Sequence, residues 1–490
     1  MMKVVLAIDL GTTGNRVIAL SKNGDIVAKS YYEFPQIFPR PGWVEHNPLD
    51  IWKTAQKALN DVLSAVGVEN VVALGITNQR ETTILWDKDT GKPVYNAIVW
   101  QCRRTEKICE ELAPYSAIIK DKTGLPLDPY FSATKIKWIM DNVAGVKEKI
   151  KQGKIVFGTV DTWILWNLTG GKVHATEPSN AARTLCFNIK TMAYDEELLN
   201  IFGVPESILP EVKDSDAHFG NTDKRIIGKE IPVTGILGDQ QASLFAHGGW
   251  EEGVVKNTYG TGLFLMFSTK QKILPTDRLV NTVAWKIGEK TTYAAEGSVF
   301  IGGACVQWLR DGLKIIDSAS DTEDMARSLS SNDGVYFVPA LAGLGAPYWD
   351  SSARGMIIGL TRGTRREHIA RAALEALAFQ TRDVIETINE DFDISIQKLR
   401  VDGGACQNDF LMQFQADILG IPVERPKLIE TTGMGAAGIA GITVGFWDEN
   451  EFLQTRKIDR VFRPGFDKKQ RDAYYFRWKD AVKRALKWAV

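Results

Sequence analysis

An α/β chain folded as two halves of similar design, residues 1–247 and 248–490 with a cleft between them, is what the sequence predicts. Three observations carry that reading. Strand-like and helix-like segments alternate from end to end, which favours mixed α/β layers over an all-α or all-β fold. The apolar run Lys3 to Leu10 ends in the turn Gly11-Thr12-Thr13-Gly14, and Val254 to Tyr259 ends the same way in Gly260-Thr261-Gly262. Between them His247-Gly248-Gly249-Trp250-Glu251-Glu252-Gly253 interrupts two apolar stretches with paired glycines and charges, as a linker does.

Lys3 to Leu10 reads as a buried strand. Val17 to Leu20 and Asp25 to Tyr32 flank Lys22-Asn23-Gly24, whose Asn-Gly pair favours a tight hairpin. Asn47-Pro48-Leu49-Asp50 opens a helix: Asn is a good N-cap, Pro suits the first helical position and the acid suits the first turn. Ile51, Ala55, Ala58, Leu59, Val62 and Val66 then fall on one face. Val71 to Ile76 and Lys154 to Thr159 are further buried strands, and a helix is expected over Lys135 to Met140 behind Tyr130-Phe131-Ser132-Ala133-Thr134. Ile231 to Leu237 leads into Gly238-Asp239-Gln240-Gln241, an acid and two amides whose bland alternative is that Asp239 caps the helix Gln240 to Ala246. Leu399 to Asp402 runs into Gly403-Gly404 and a helix from Phe410 to Leu419. Lys468 to Val490 is a basic helix whose stripe of Tyr474, Trp478, Ala481, Val482, Ala485 and Ala489 is expected to dock on the body.

Composition narrows the function classes. Lys+Arg 59 against Asp+Glu 60 gives a net charge of −1, which supplies no general attraction for nucleic acid or an anionic membrane. The five Cys are scattered without a CxxC pair, so they suit a reducing cytoplasm rather than a disulfide framework. The five His form no HExxH and lie at no zinc-site spacing from a Cys. The longest apolar stretch, Gly435 to Phe446, is Gly-rich and well short of the roughly 20 residues of a membrane span. The first residues offer a signal peptide very little, so neither secretion nor membrane insertion is expected.

Chemistry concentrates in three strand-to-glycine turns. In Asp9-Leu10-Gly11-Thr12-Thr13-Gly14-Asn15-Arg16, an Asp at a strand end can hold a hydrated Mg²⁺. The glycines let backbone N–H groups face an anion beside Thr hydroxyls, and Arg16 could reach a phosphate. A merely polar hairpin turn would explain this segment equally well. Asn257-Thr258-Tyr259-Gly260-Thr261-Gly262 and Asp402-Gly403-Gly404-Ala405-Cys406-Gln407-Asn408 repeat the pattern, and three such turns across two halves are hard to explain structurally. Neither a P-loop nor a strand–GxGxxG–helix is present. Arg80-Glu81, at another strand end, is a candidate binding pair whose bland alternative is an exposed ion pair.

These residues fall within ordered segments that resemble the FGGY carbohydrate kinases nearly end to end. They include Pro41-Gly42-Trp43-Val44-Glu45-His46, Asn78-Gln79-Arg80-Glu81-Thr82, Trp100-Gln101-Cys102-Arg103-Arg104 and Asp128-Pro129-Tyr130-Phe131-Ser132-Ala133-Thr134-Lys135. Gly238-Asp239-Gln240-Gln241, Thr258-Tyr259-Gly260-Thr261-Gly262, Gln307-Trp308-Leu309-Arg310-Asp311, Gly355-Met356-Ile357-Ile358-Gly359-Leu360 and Asp402-Gly403-Gly404-Ala405 continue the match. The resemblance implies two actin-like, ribonuclease H-like domains with a central interdomain cleft, 1–247 on the polyol and phosphate side and 248–490 on the nucleotide side. It implies a cytoplasmic transferase that phosphorylates glycerol to sn-glycerol 3-phosphate with ATP and Mg²⁺, in glycerol catabolism.

By the same resemblance, glycerol would lie against Arg80, Glu81, Tyr130, Asp239 and Gln240, with Trp100 and Phe264 covering its CH₂ face. Asp239 would be the catalytic base and, with Asp9, would hold the metal. Thr12, Thr13, Gly14, Arg16 and Thr261 would hold phosphates, and Gly303, Gln307, Gly404 and Asn408 would face the nucleoside. A homo-oligomer, dimer or higher, is the expected assembly. Two departures stand out. Gly14-Asn15 stands where two small hydroxyl residues are expected, and Arg225-Ile226-Ile227-Gly228 stands where some bacterial members carry a phosphorylatable His. That control is expected to be missing. A sibling kinase acting on another polyol or a ketose such as xylulose would share the phosphate turns but differ around Arg80, Glu81, Trp100 and Tyr130. An actin-like chaperone would need an additional peptide-binding domain, and a filament protein would leave Gln79-Arg80-Glu81-Thr82 and Asp239-Gln240-Gln241 unexplained.

Overall fold

The computed structural model describes residues 2–392 and 394–489. A six-stranded sheet is built from β1 (Val4–Leu10), β2 (Gly14–Ser21), β3 (Ile26–Glu33), β4 (Val71–Asn78), β5 (Gly220–Asn221) and β6 (Pro232–Gly238), in the order β5-β6-β4-β1-β2-β3. A seven-stranded sheet holds β7 (Val254–Tyr259), β8 (Leu263–Lys270), β9 (Val280–Ile287), β10 (Lys290–Val299), β11 (Lys398–Asp402), β12 (Val423–Pro426) and β13 (Ile458–Phe462), in the order β9-β10-β8-β7-β11-β12-β13. The design repeats. β1 is antiparallel to β2 and parallel to β4, and β7 is antiparallel to β8 and parallel to β11.

The first sheet is covered on both faces. Helix α1 (Pro48–Val66), capped by the Asn47 side chain on the Leu49 N–H, buries Ile51, Ala55, Ala58, Leu59 and Val62 against Val4, Leu6 and Ile8. Because strand side chains alternate, Val5 and Ala7 point the other way. There they meet α2 (Asp239–Ala246) and α3 (Thr431–Thr443) in a core that also takes Met266, Ala284 and Ala294 from the second sheet. The apolar Gly435 to Phe446 stretch is thus largely a helix of the second half packed on the sheet of the first. Its small residues permit that. A Cβ on Gly435 would come within 1.8 Å of the Ala242 carbonyl oxygen, and one on Gly75 within 2.1 Å of the Ala436 carbonyl oxygen. Gly435→Ala is therefore expected to destabilise the protein by about 3 kcal/mol through overpacking, read as a lower denaturation midpoint; an unchanged midpoint would mean that α2 and α3 can separate freely.

The C-terminal helix, α4 (Lys468–Ala485), docks through Trp478, Ala481, Val482 and Ala485 as the stripe predicts, but Tyr475 is the buried tyrosine and Tyr474 is half-buried. The helix ends before Ala489, and Val490 lies outside the described residues. Tyr475 Oη and Trp478 Nε1 donate to the two oxygens of Asp383 at 2.7 and 2.9 Å, and burial pushes that carboxyl up from 3.8 to about 7. A raised carboxyl pKa means that the folded state binds the extra proton between those values, so this group's stability contribution falls as pH rises from about 4 to 7. Asp383→Asn removes that slope. Its melting temperature should rise relative to wild type between pH 4 and 7, and parallel melting profiles would refute the assignment.

Two other expectations are refined. The connection at His247 to Gly253 is tight, because His247 is buried and its Nε2 bonds Asp402 at 3.0 Å. The strand at Lys154 to Thr159 is found over Ile155–Gly158, but in a separate three-stranded sheet. No described helix is long and apolar enough to cross a membrane.

Candidate active site

Register brings the carboxyl ends of β1, β4 and β6 level, pairing Leu10 with Asn78 and Asn78 with Gly238. The segments that follow, Gly11–Thr13, Gln79–Glu81 and Asp239, therefore emerge along one edge, where open α/β sheets bind ligands. In the second sheet Thr258 pairs with Asp402, so the turns at Gly260 and Gly403 emerge together.

The first turn is closed by Gly11 N–H donating to the Gly14 carbonyl at 3.1 Å. Thr12 is fixed by Trp100, whose Nε1 donates to the Thr12 Oγ1 at 2.9 Å, while Thr13 is exposed. A Cβ on Gly14 would lie 2.6 Å from the Tyr32 carbonyl, so close strand packing requires glycine. Asn15 is buried and its Nδ2 donates to the Ile51 carbonyl and Thr54 Oγ1, both at 2.8 Å. That tie between β2 and α1 explains an amide where a small hydroxyl was expected. Arg16 sits across the hairpin from Asp9, 3.9 Å between charges. Burial raises the Asp9 carboxyl to about 6 against the pull of Arg16, with Asp239 and Glu430 raising it further.

On the second turn, Gly303 N–H donates to the Gly260 carbonyl at 2.8 Å and Ala304 N–H to the Thr261 carbonyl at 3.1 Å, so the helix Gly303–Asp311 begins on it. Thr261 and Gln307 are exposed. A Cβ on Gly404 would meet nothing within 4 Å, leaving open space before that backbone. Asn408 is differently employed: its Oδ1 caps the helix Asp409–Leu419 on the Leu411 N–H, and its Nδ2 reaches Thr322 Oγ1 at 3.3 Å.

Where the two sheets meet, a buried ionic network forms. Arg80 and Glu81 are 2% and 1% exposed, which overturns the exposed ion pair. Arg80 Nε lies 3.1 Å from Asp239 Oδ1 and 3.6 Å from Glu81 Oε1, and its Nη1 and Nη2 fork onto Glu296 at 2.7 and 3.3 Å. Arg183 Nε donates to Glu81 at 2.6 Å, and Arg183 Nη2 lies 3.6 Å from Glu296. Arg80 and Arg183 thus pair with Glu81, Asp239 and Glu296, while the buried Lys256 is shared between Asp402 and these carboxylates. Such pairing is what allows charges to be buried. Burial alone would raise Glu296, but Arg80 and Arg183 outweigh it and hold the carboxyl down at about 2.

Asp239 is not the N-cap. Gly238 takes that position, and Asp239 lies in the first turn with Oδ1 accepting the Gln240 N–H at 2.7 Å. Its side chain remains 32% exposed, and burial raises its carboxyl while Arg80 opposes. Gln240 turns its carboxamide oxygen to Lys256. Trp100 and Tyr130 pack edge-on at 5.6 Å. Phe264 pairs with Ser298 as Met266 pairs with Glu296, and residues two apart share a face, so Phe264 lies on the face that carries Glu296. The helix expected from Lys135 begins instead at Ser132, with no side-chain cap, and Lys135 Nζ bonds the carbonyls of Tyr130, Phe131 and Glu81.

Glu296, Arg183 and Lys256 were missed by sequence reasoning. Their signal is a charge inside an apolar stretch, as in Tyr293-Ala294-Ala295-Glu296 and Val254-Val255-Lys256. Charges there are rare unless paired.

Residues 4–246 match the FGGY family of carbohydrate kinases, N-terminal domain, and residues 255–444 match its C-terminal domain. Glycerol kinase of Aquifex aeolicus is 62% identical over 491 residues, covering all of both chains. Glycerol kinase 2 of Thermotoga maritima is 55% identical, covering 99% of each. The crystal structure of Plasmodium falciparum glycerol kinase with ADP superimposes with a TM-score of 0.93 at 38% identity, covering 99% of this chain and 98% of that one.

Proposed function

The chain belongs to the FGGY family of carbohydrate kinases, with its two-domain, actin-like fold, and from that premise we propose that it transfers the γ-phosphoryl group of ATP to glycerol. The products are ADP and sn-glycerol 3-phosphate. ATP use follows from the family; the substrate reading is carried by one observation, the Arg80–Asp239 contact of 3.1 Å beside Trp100 and Tyr130. A triol offers only hydroxyls and a CH₂ face, so it needs paired donors and acceptors with apolar cover.

Arg80 donates to substrate hydroxyls and Glu81 accepts from them, held by the network behind. Tyr130 and Gln240 border them, and Trp100 and Phe264 cover the carbon chain. Asp239 accepts the proton of the attacking hydroxyl. A loose transition state asks little of a carboxylate base because little bonding to the nucleophile has formed. Thr12, Thr13, Gly14, Arg16 and Thr261 align the phosphates through hydroxyls, backbone N–H groups and charge, while Gly303, Gln307, Gly404 and Asn408 border the nucleoside. The residues present fit Mg²⁺: Asp9 and Asp239 repel one another's charge, and a hydrated ion needs only such a pair. When bound, Mg²⁺ neutralises charge on the phosphate oxygens. The halves 1–247 and 248–490 would take the polyol and nucleotide sides. Cytoplasmic location and a homo-oligomer rest on the family resemblance alone.

The test is phosphorylation by ATP across glycerol, dihydroxyacetone and pentuloses. Glycerol should exceed xylulose by at least about 100-fold in kcat/KM, because a site built for hydroxyls discriminates strongly. A preference for a pentulose would overturn the reading in favour of a sibling kinase.

A further inference from the structure

Away from the catalytic edge, a cavity of about 200 Å³ opens at the opposite end of the first sheet, where the β2–β3 turn meets the second half. Gly24 and Asp25 line it from that turn, and Lys427, Arg456 and Lys457 line it from the segments beside β12 and β13. Its charge is unbalanced. Glu424 is shared by Lys398, Arg400 and Arg456 at 3.5, 3.1 and 3.1 Å, and Arg400 takes Glu251 as a second partner at 2.6 Å. Lys457 pairs with Asp25 at 2.5 Å. The charged residues that line the cavity, Asp25, Lys427, Arg456 and Lys457, carry three positive charges against one negative. Arg456 has a side chain only 8% exposed, and its Nε and Nη2 are buried without an acceptor. Unsatisfied donors of that kind are uncommon in a folded protein, and a ligand that drew the Arg456 guanidinium toward the cavity would supply their acceptors.

We propose that this cavity binds a small phosphate dianion, either inorganic phosphate or the phosphoryl group of a small organic phosphate. An excess of two positive charges matches the dianion, and arginine suits tetrahedral oxyanions through its forked donors. Lys427 is exposed and free to swing onto the ligand, and the exposed Lys457 can exchange Asp25 for it. Asp25 competes with the ligand for Lys457, so occupation loosens a contact between the two halves.

The experiment is calorimetric titration with inorganic phosphate and, separately, glycerol 3-phosphate. The full chain is first saturated with glycerol and a non-hydrolysable ATP analogue, which blocks the catalytic phosphate positions. One saturable site per chain is expected in wild type. The double variant Lys427→Ala/Lys457→Ala should bind at least about tenfold more weakly, while Asp25→Asn should bind more tightly. Equal affinity for both anions assigns recognition to the phosphoryl group alone, and tighter binding of glycerol 3-phosphate assigns the cavity to an organic phosphate. Absence of saturable binding in wild type, or unchanged binding in the double variant, overturns the proposal.

Discussion

Asp239→Asn should lower kcat at least about 100-fold, with a much smaller change in the KM for glycerol. Asn has the same size and keeps an oxygen that accepts from the Gln240 N–H, now at 2.7 Å, and from Arg80 Nε, now at 3.1 Å. What it loses is the charge that takes the proton. Folding is expected to survive, because the side chain is 32% exposed and no buried cation loses its only partner: Arg80 keeps Glu296 and Glu81. Steady-state kinetics of glycerol phosphorylation, with a melting curve alongside, reads both effects. A near wild-type kcat would reduce Asp239 to an acid that stabilises a helix first turn.

Glu81→Gln should raise the KM for glycerol by about 10- to 100-fold while the KM for ATP stays close to normal, the range expected when a charged hydrogen-bond acceptor is lost from a buried site. Gln is the informative substitution. Ala would strip Arg183 of the acceptor that its Nε meets at 2.6 Å, leaving only the longer 3.6 Å contact with Glu296, and breaking a buried pair costs about 3–5 kcal/mol. A folding defect would then obscure the binding effect, whereas Gln keeps an oxygen for Arg183. Varying each substrate in turn decides the outcome. Parallel shifts in both KM values, or none in either, would mean that Glu81 supports the fold without facing the substrate.

Much of this arrangement is legible along the chain. Asn47, Pro48 and the apolar spacing from Ile51 to Val62 specify α1 without any distant contact, because a capped amphipathic helix is a local pattern. The repeated strand-to-glycine turns announce the two halves and the phosphate-side edge, and the family resemblance points to Arg80, Glu81 and Asp239. The burial of Arg80 and Glu81 was not legible. An ion pair reads the same whether it is solvated or buried, until the residues that surround it are known.

Local spacing and turn chemistry determine the strands, the helices and the carboxyl ends where the candidate site forms, since each depends on neighbours within a few residues. Tertiary structure decides the rest. Arg80 meets Glu296 across 216 positions of sequence, and α3 crosses from the second half to lie on the first sheet. Asn408 is drawn into a helix cap, and Gly435 yields its side-chain space to the Ala242 carbonyl. Partnership of buried charges and close backbone approach are properties of three-dimensional proximity, and no periodicity in a single chain encodes which distant segment will arrive.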